Sequence, residues 1–481
     1  MTAPRPHFRT IALIVGAAVF MEQMDGTILA TALPDMARDL GVSAPSLSIA
    51  LTSYLISLAV FIPASGWMAD RFGPRRIFRA AILLFTLASA ACAFAPNVSF
   101  LVAARFVQGM GGAMMIPIGR LLLFRNIEKR QMVQAMSWVL VPAMIGPIVG
   151  PPVGGFIVTY FDWRWIFFLN LPIGAAGLAL VGRFIAEIPG EAPRFDGAGM
   201  ILTALSLGPL LFGLELVSHP GQTGAGLGLI LLGLAAGFVY LRRARRVAEP
   251  ILDPRLMQVR TFRTSLIAGS VTRIAQGAHP FLLPLMMQLG FGLSAAQSGL
   301  MTLATALGSI LMKAVAPHVL RKFGFRDSLI VGGFLACFCY GLCAFFQPGW
   351  PFALMFAILV TSGFFMSFQF TAYNTIAYDQ VAAEKLSSAT AFYTTFQQLM
   401  LSVGICVAAM GLEGAMAARG HATPALADFS IAWFLVCGIS LFAVIWNMQF
   451  RSSDGVDFSG HTPRTWSVRQ ALRDMRGLTN S

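Results

Sequence analysis

Long apolar runs separated by short polar breaks dominate the chain from end to end. A helix that crosses a bilayer needs about 20 predominantly apolar residues, and about fourteen runs of that kind begin near residues 11, 46, 77, 99, 134, 165, 197, 226, 264, 296, 328, 351, 388 and 429. The pattern predicts an all-α polytopic membrane protein with 14 transmembrane helices. The breaks differ in charge. Alternate ones carry Arg71, Arg75, Arg76 and Arg79, then Arg125, Lys129 and Arg130, then "RRARR" at 242–246, then Arg321, Lys322 and Arg326, whereas the others hold only Arg38, Arg164 and Arg419. Basic loops stay in the cytoplasm, so this asymmetry predicts that both termini are cytoplasmic. The first run is too long for a signal peptide and ends in "TALPD" without a small-residue cleavage site, so it reads as a retained helix.

A weak repeat divides the pattern. "GWMADRFGPRRIF" from Gly66 and "PHVLRKFGFRDSL" from Pro317 share a basic-aromatic-glycine core in equivalent loops. Repeats of this kind mark two related bundles that rock about a central site in secondary transporters. The expected organisation is an N-terminal six-helix bundle over 1–190, an inserted transmembrane helix pair over 191–246, a cytoplasmic connector over 247–263, a C-terminal six-helix bundle over 264–450 and a cytoplasmic tail over 451–481. In that tail Trp466, Ala471, Leu472, Met475 and Leu478 alternate with arginines as in a short amphipathic surface helix.

Composition agrees: 57% of the 481 residues are hydrophobic and 11% charged, too little polar material to cover a soluble globule. The net charge of +13 sits almost wholly between the apolar runs, which argues against a nucleic-acid partner. All six cysteines, including the cluster "CFCYGLC" at 337–343, lie inside apolar runs. They read as small packing residues, with neither an external disulfide framework nor a metal site. Trp163, Trp165, Trp350, Trp433 and Trp446 fall where interfacial belts are expected. No nucleotide loop, metal cluster or nucleophile-base arrangement suggests an enzyme.

The polar residues inside the runs carry the chemistry, and four segments stand out. "GWMADRFGPRRIF" offers Gly66 for close helix approach, Gly73 for a tight turn, and Asp70, Arg71 and Arg75 at the membrane edge. "FLVAARFVQGMGGAMM" holds Arg105, which is costly in hydrocarbon and needs a partner. "MIGPIVGPPVGGFIV" spaces Gly146, Gly150, Pro151, Gly154 and Gly155 as a smooth, bent ridge for helix packing. "MEQMDGTILATALP" places Glu22 and Asp25 one turn apart. At 1.5 Å per residue Arg105 lies roughly 9 Å and Asp25 roughly 12 Å below the outer ends of their helices, so the two can meet. Burial favours a neutral carboxyl and a nearby arginine favours a charged one. An acid between these effects can take up a proton on one side of the membrane and release it on the other.

On these four motifs the chain resembles the major facilitator superfamily, and within it the fourteen-helix drug:proton antiporter family, from the first helix to the fourteenth. The resemblance implies the major facilitator fold, with two six-helix bundles plus an inserted helix pair, in a bacterial inner membrane. It also implies a gate in which Asp70 latches the two bundles, an exchanger signature in the glycines of 146–155, and proton coupling at Asp25. Pro74 departs from the family pattern, which commonly has a base there, and the second copy of the loop has Arg321 where the first has its acid. Glu22 is not required by the family.

In the second half, Arg273, Gln276 and His279, followed by Gln369, Tyr373, Asn374, Tyr393 and Gln397, read as polar lining of a substrate cavity that Glu22 shares. Lys313 lies near a cytoplasmic helix end and Glu215 near an outer one, each reading as interfacial. The leading reading is a monomeric proton-coupled antiporter that exports amphipathic or cationic organic compounds by alternating access, with the lipid bilayer and a small-molecule substrate as partners and the proton gradient in place of any cofactor. Because Arg105, Arg273, His279 and Lys313 supply many bases, an exporter of organic anions or metal-carboxylate chelates stands as an alternative. A non-transporting sensor or scaffold is the alternative of another class.

Overall fold

A computed structural model describes residues 8–127, 131–187, 196–218, 222–382 and 385–461. Lys129, Arg130 and the tail segment around Trp466 lie outside these residues. The first six membrane helices are α1 (Phe8–Leu40), α2 (Ser48–Phe72), α3 (Pro74–Ala93), α4 (Val98–Asn126), α5 (Met132–Tyr160) and α6 (Trp165–Phe184). A middle pair follows, α7 (Gly197–Ser218) and α8 (Thr223–Ala244). Then come α9 (Arg260–Leu285), a long helix Ala295–Cys343, α12 (Phe352–Ile376), α13 (Leu386–Arg419) and α14 (Leu426–Trp446). Gly324, at φ 69° and ψ 177°, breaks the long helix into two arms, residues 295–323 (α10) and 325–343 (α11).

Twelve helices among the described residues are long and apolar enough to cross a membrane, the long one being counted once. α9 has 26 residues, ample for a crossing, but Arg260, Arg263, Arg273, Gln276 and His279 lower its hydropathy. With α9 included and the long helix divided at Gly324, fourteen membrane-length helices result, and the described residues contain no strand.

Packing repeats along the chain. α1 packs on α5, α3 on α4 and on α6; eight elements later α9 packs on α13, and the long helix packs on both α12 and α14. Glycines set the closest approaches, because only a missing side chain lets backbones come so near. Gly277 of α9 faces the Leu401 carbonyl of α13, and Gly404 of α13 faces the Ile274 carbonyl of α9. Within the middle pair, Gly213 and Gly226 face each other's carbonyls. α7 fastens this pair to α2 on one side and α13 on the other.

The first six and last six helices meet on the side away from the start of α1, here the far side. A Cβ at Gly155 of α5 would strike the Ala295 carbonyl that opens α10, and Gly299 of α10 faces the Pro151 carbonyl. Gln288 donates to the Thr31 carbonyl at 3.0 Å, and the Ala296 amide donates to Thr159 Oγ1 at 3.0 Å. On the opposite, N-terminal side several hydrogen bonds fasten each half to itself, and Lys313 of α10 reaches Met144 Sδ of α5 across the halves. Arg75 donates to the Gly182 carbonyl, Arg260 to Asp454 at 2.8 Å, and the Gly455 amide to Asp379 at 3.2 Å.

Three sequence expectations change. Nothing lies within 4 Å of a Cβ built at Gly66, so that glycine mediates no close helix contact here; the turn instead depends on Gly73 at φ 90°. Trp433 belongs to no interfacial belt but is fully buried, stacked on Tyr340 and edge-on to His279. Asp70 pairs with Arg125 at 2.7 Å, a contact between α2 and α4 of the same half rather than between halves. Arg125 lies in the last turn of α4, at the same membrane edge as Asp70.

Candidate functional site

Five of the first six helices converge on Asp25. α1 presents this acid only 1% exposed, and α4 presents Arg105 fully buried. Arg105 Nη1 lies 2.5 Å from Asp25 Oδ2. The other carboxylate oxygen accepts from Gln108 Nε2 at 2.9 Å and from Asn170 Nδ2, at the start of α6, at 2.8 Å. Arg105 also donates to Gln108 Oε1 at 2.7 Å and, through Nε, to the Ala50 carbonyl of α2 at 3.3 Å. Ser89 of α3 accepts from Asn170 at 2.9 Å and donates to the Phe167 carbonyl at 3.0 Å. An ion pair removed from water is tolerable when its remaining lone pairs and protons find partners. Here the carboxylate accepts three such bonds.

Glu22 belongs to the same assembly through Tyr54. The Tyr54 ring lies 4.4 Å from the Arg105 guanidinium carbon, and its hydroxyl donates to Glu22 Oε1 at 3.3 Å. Gly112 of α4 makes room: a Cβ there would stand 2.9 Å from the Tyr54 hydroxyl and 3.4 Å from Glu22 Cγ. Glu22 Oε2 is buried and accepts no hydrogen bond among the described residues.

Four of these side chains escaped the sequence reading: Gln108, Asn170, Tyr54 and Ser89. Gln108 had a readable signal, because it follows Arg105 by three residues and so shares its helix face. Tyr54, Asn170 and Ser89 had none beyond being polar side chains inside apolar runs.

The glycines of α5 divide between two neighbours. Gly146, Gly150 and Gly154 face α1 at Phe20–Met24, Thr27 and Ile28–Thr31, so a Cβ at Gly154 would lie 2.6 Å from Ile28 Cγ1. Gly155 faces the other half at α10. Pro151 turns its carbonyl to Gly299. The ridge therefore seats the helix that carries both acids and also forms the contact between halves on the far side. Arg71 is exposed at the membrane edge.

In the last six helices a second polar group surrounds Arg273. Its Nη1 donates to Gln276 Oε1 at 2.7 Å and its Nη2 to Gln397 Oε1 at 3.3 Å, while its guanidinium carbon lies 4.1 Å from the centre of the Phe370 ring. Gln276 continues to the Met366 carbonyl at 3.1 Å, and Gln397 donates to Asn374 at 3.1 Å. No carboxylate among the described residues forms an ion pair with Arg273.

Among the other expected cavity residues, His279, Gln369, Tyr373 and Tyr393 make no described hydrogen bond to Arg273. His279 is 2% exposed, packed on Tyr340 and Trp433. Tyr373 donates to Asn447 at 2.8 Å, and Gln369 lies against Gly333. Tyr393 is buried among Phe262, Tyr378 and Ser265. Helical phase explains this sorting: Met366, Phe370 and Asn374 follow one another at four-residue steps, whereas Gln369 and Tyr373 occupy the next face round. Lys313 reaches Met144 Sδ of α5 at 2.9 Å.

The sequence profile described as the Major Facilitator Superfamily matches residues 15–405. A protein of Cronobacter sakazakii named "Putative multidrug resistance protein MdtD" is 37% identical over 399 residues, 82% of this chain and 84% of its own length. The protein of the same name from Serratia proteamaculans is 35% identical over 444 residues, 91% and 92% of the two chains. Among solved structures, the POT family transporter PepTSo superposes with a TM-score of 0.67 at 14% identity, covering 93% of this chain and 98% of its own. At that identity the likeness concerns the fold alone.

Proposed function

We propose, on the premise that this chain belongs to the Major Facilitator Superfamily, that it is a secondary multidrug efflux transporter that exchanges protons for amphipathic or cationic cargo. It works as a monomer in the bacterial inner membrane with both termini in the cytoplasm, and its two six-helix halves alternate access to a central site. The name carried by its relatives supports the export of drugs, and the uneven loop charge supports the orientation.

One observation carries the proton coupling: a carboxylate in the membrane interior is held by an arginine at 2.5 Å inside a network from five helices. A proton arriving on Asp25 removes the charge that Arg105 pairs with, which loosens α1 against α4. Its departure restores the pair. Such an element has two states of different packing, as an alternating carrier requires. Glu22, with one carboxyl oxygen unbonded, offers an acceptor for a cationic cargo. The test is export of a cationic dye from proteoliposomes under an imposed pH gradient. Export should stop when the gradient is collapsed; export indifferent to the gradient would overturn the coupling.

A second reading concerns cargo charge. The described hydrogen bonds of Arg273 go only to amides, its guanidinium lies over a phenyl ring, and an arginine in hydrocarbon is costly without an anion. An anionic group on the cargo would supply the missing charge. This favours cargo with a carboxylate, alone or beside a cationic centre.

A further inference from the structure

Glu215 has no part in the site above. It lies near the end of α7, where the sequence reads as an interfacial position, yet the structure buries it completely. Ser48 Oγ donates to its Oε1, and Cys406 Sγ donates to its Oε2 at 3.1 Å. Ser48 opens α2 in the first six helices, and Cys406 lies within α13 in the last six. One carboxyl therefore joins three bodies: the first half, the second half and the middle pair.

Apolar contact already seals this junction, since Ile56 and Val60 of α2 cluster with Leu207 and Leu211 of α7 and Leu399 of α13. Packing alone does not call for an acid there. A buried carboxyl is expensive in such surroundings and is satisfied only while its donors stay in place. Ser48 and Cys406 stand on opposite halves, so a relative movement of α2 and α13 cannot keep both bonds.

We propose that Glu215 is a positioning residue for transport, a clasp that holds α2 and α13 together while the far side is closed and thereby makes the middle pair a working part of the gate. The proposal rests on the alternating-access reading. Closure brings both donors onto the carboxyl; opening on the far side breaks at least one of these bonds. The middle pair then moves with whichever half keeps its bond.

The test uses the full chain in lipid nanodiscs, with spin labels at the exposed positions Val42 and Ala418 attached through unnatural side chains so that the native cysteines remain. The distance between the labels is measured with and without a cationic dye, at acid and alkaline pH. Glu215→Leu should raise the open, long-distance population about tenfold, as expected for losing one or two bonds to a carboxylate. Cys406→Ala should shift it less, and Cys406→Ser, which keeps a donor, should match wild type. This pair of cysteine variants keeps the test decisive if Glu215→Leu does not fold. Wild-type distances in Glu215→Leu, or equal distances in Cys406→Ala and Cys406→Ser, would overturn the clasp while leaving alternating access intact. A wild-type distance that never changes would overturn both.

Discussion

Tyr54 stands between the two acids of α1 through Arg105: its ring lies 4.4 Å from the guanidinium carbon, and its hydroxyl donates to Glu22 at 3.3 Å. The residue thus contributes two separable interactions. Tyr54→Phe keeps the ring and removes only one hydrogen bond, so the protein should lose about 1 kcal/mol of stability or less. The Glu22 carboxyl then loses its donor, and the pH dependence of export should shift while maximal export persists. Tyr54→Ala also removes the ring and should cost several-fold more in thermal unfolding. Equal effects of the two variants on both readouts would contradict the separation.

Asp25 and Arg105 should couple strongly. Leaving one member of a buried ion pair alone costs about 3–5 kcal/mol, whereas replacing both can be nearly neutral. Asp25→Asn and Arg105→Gln should therefore each destabilise the protein, and the double variant should unfold at a higher temperature than either single one. Additive losses would show that the two side chains act independently.

Two glycines separate motif resemblance from contact. Gly155 has no room for a methyl group beside the Ala295 carbonyl, while a Cβ at Gly66 meets nothing within 4 Å. Gly155→Val should hinder closure of the far side and reduce export about tenfold or more, as overpacking of about 1–3 kcal/mol implies. Gly66→Ala should transport at nearly the wild-type rate in the same dye-efflux assay. A reversed order would show that Gly66 works in a conformation other than this one.

Arg273 reports on cargo charge. Charge-assisted hydrogen bonds to an anionic ligand contribute about 1.5–3 kcal/mol. Arg273→Gln should weaken the binding of a carboxylate-bearing compound about tenfold or more, with little effect on a purely cationic dye. Calorimetric titration of both ligands on both proteins measures this, and a uniform loss would point to a packing role instead.

Much of this was legible in the sequence. Run length set the helices, loop charge predicted their orientation, and helix rise put Asp25 and Arg105 at one depth. What stayed hidden was helix phase. Polar residues occur on several faces of α9 and α12, and without knowing which face meets which neighbour, Arg273 and Gln276 cannot be separated from His279, or Asn374 from Gln369 and Tyr373. Glu215 was misread for a related reason. Distance from a helix end measures depth along the membrane normal, but its burial is set by lateral neighbours, α2 and α13, that are remote in sequence.

Proton movement through Asp25 is tested most directly by trapping a pH-sensitive dye in proteoliposomes and adding cargo outside without an imposed gradient. Wild-type protein should move protons opposite to the cargo, and Asp25→Asn should exchange cargo with no proton movement. Proton movement per cargo molecule that is unchanged in Asp25→Asn would contradict the account.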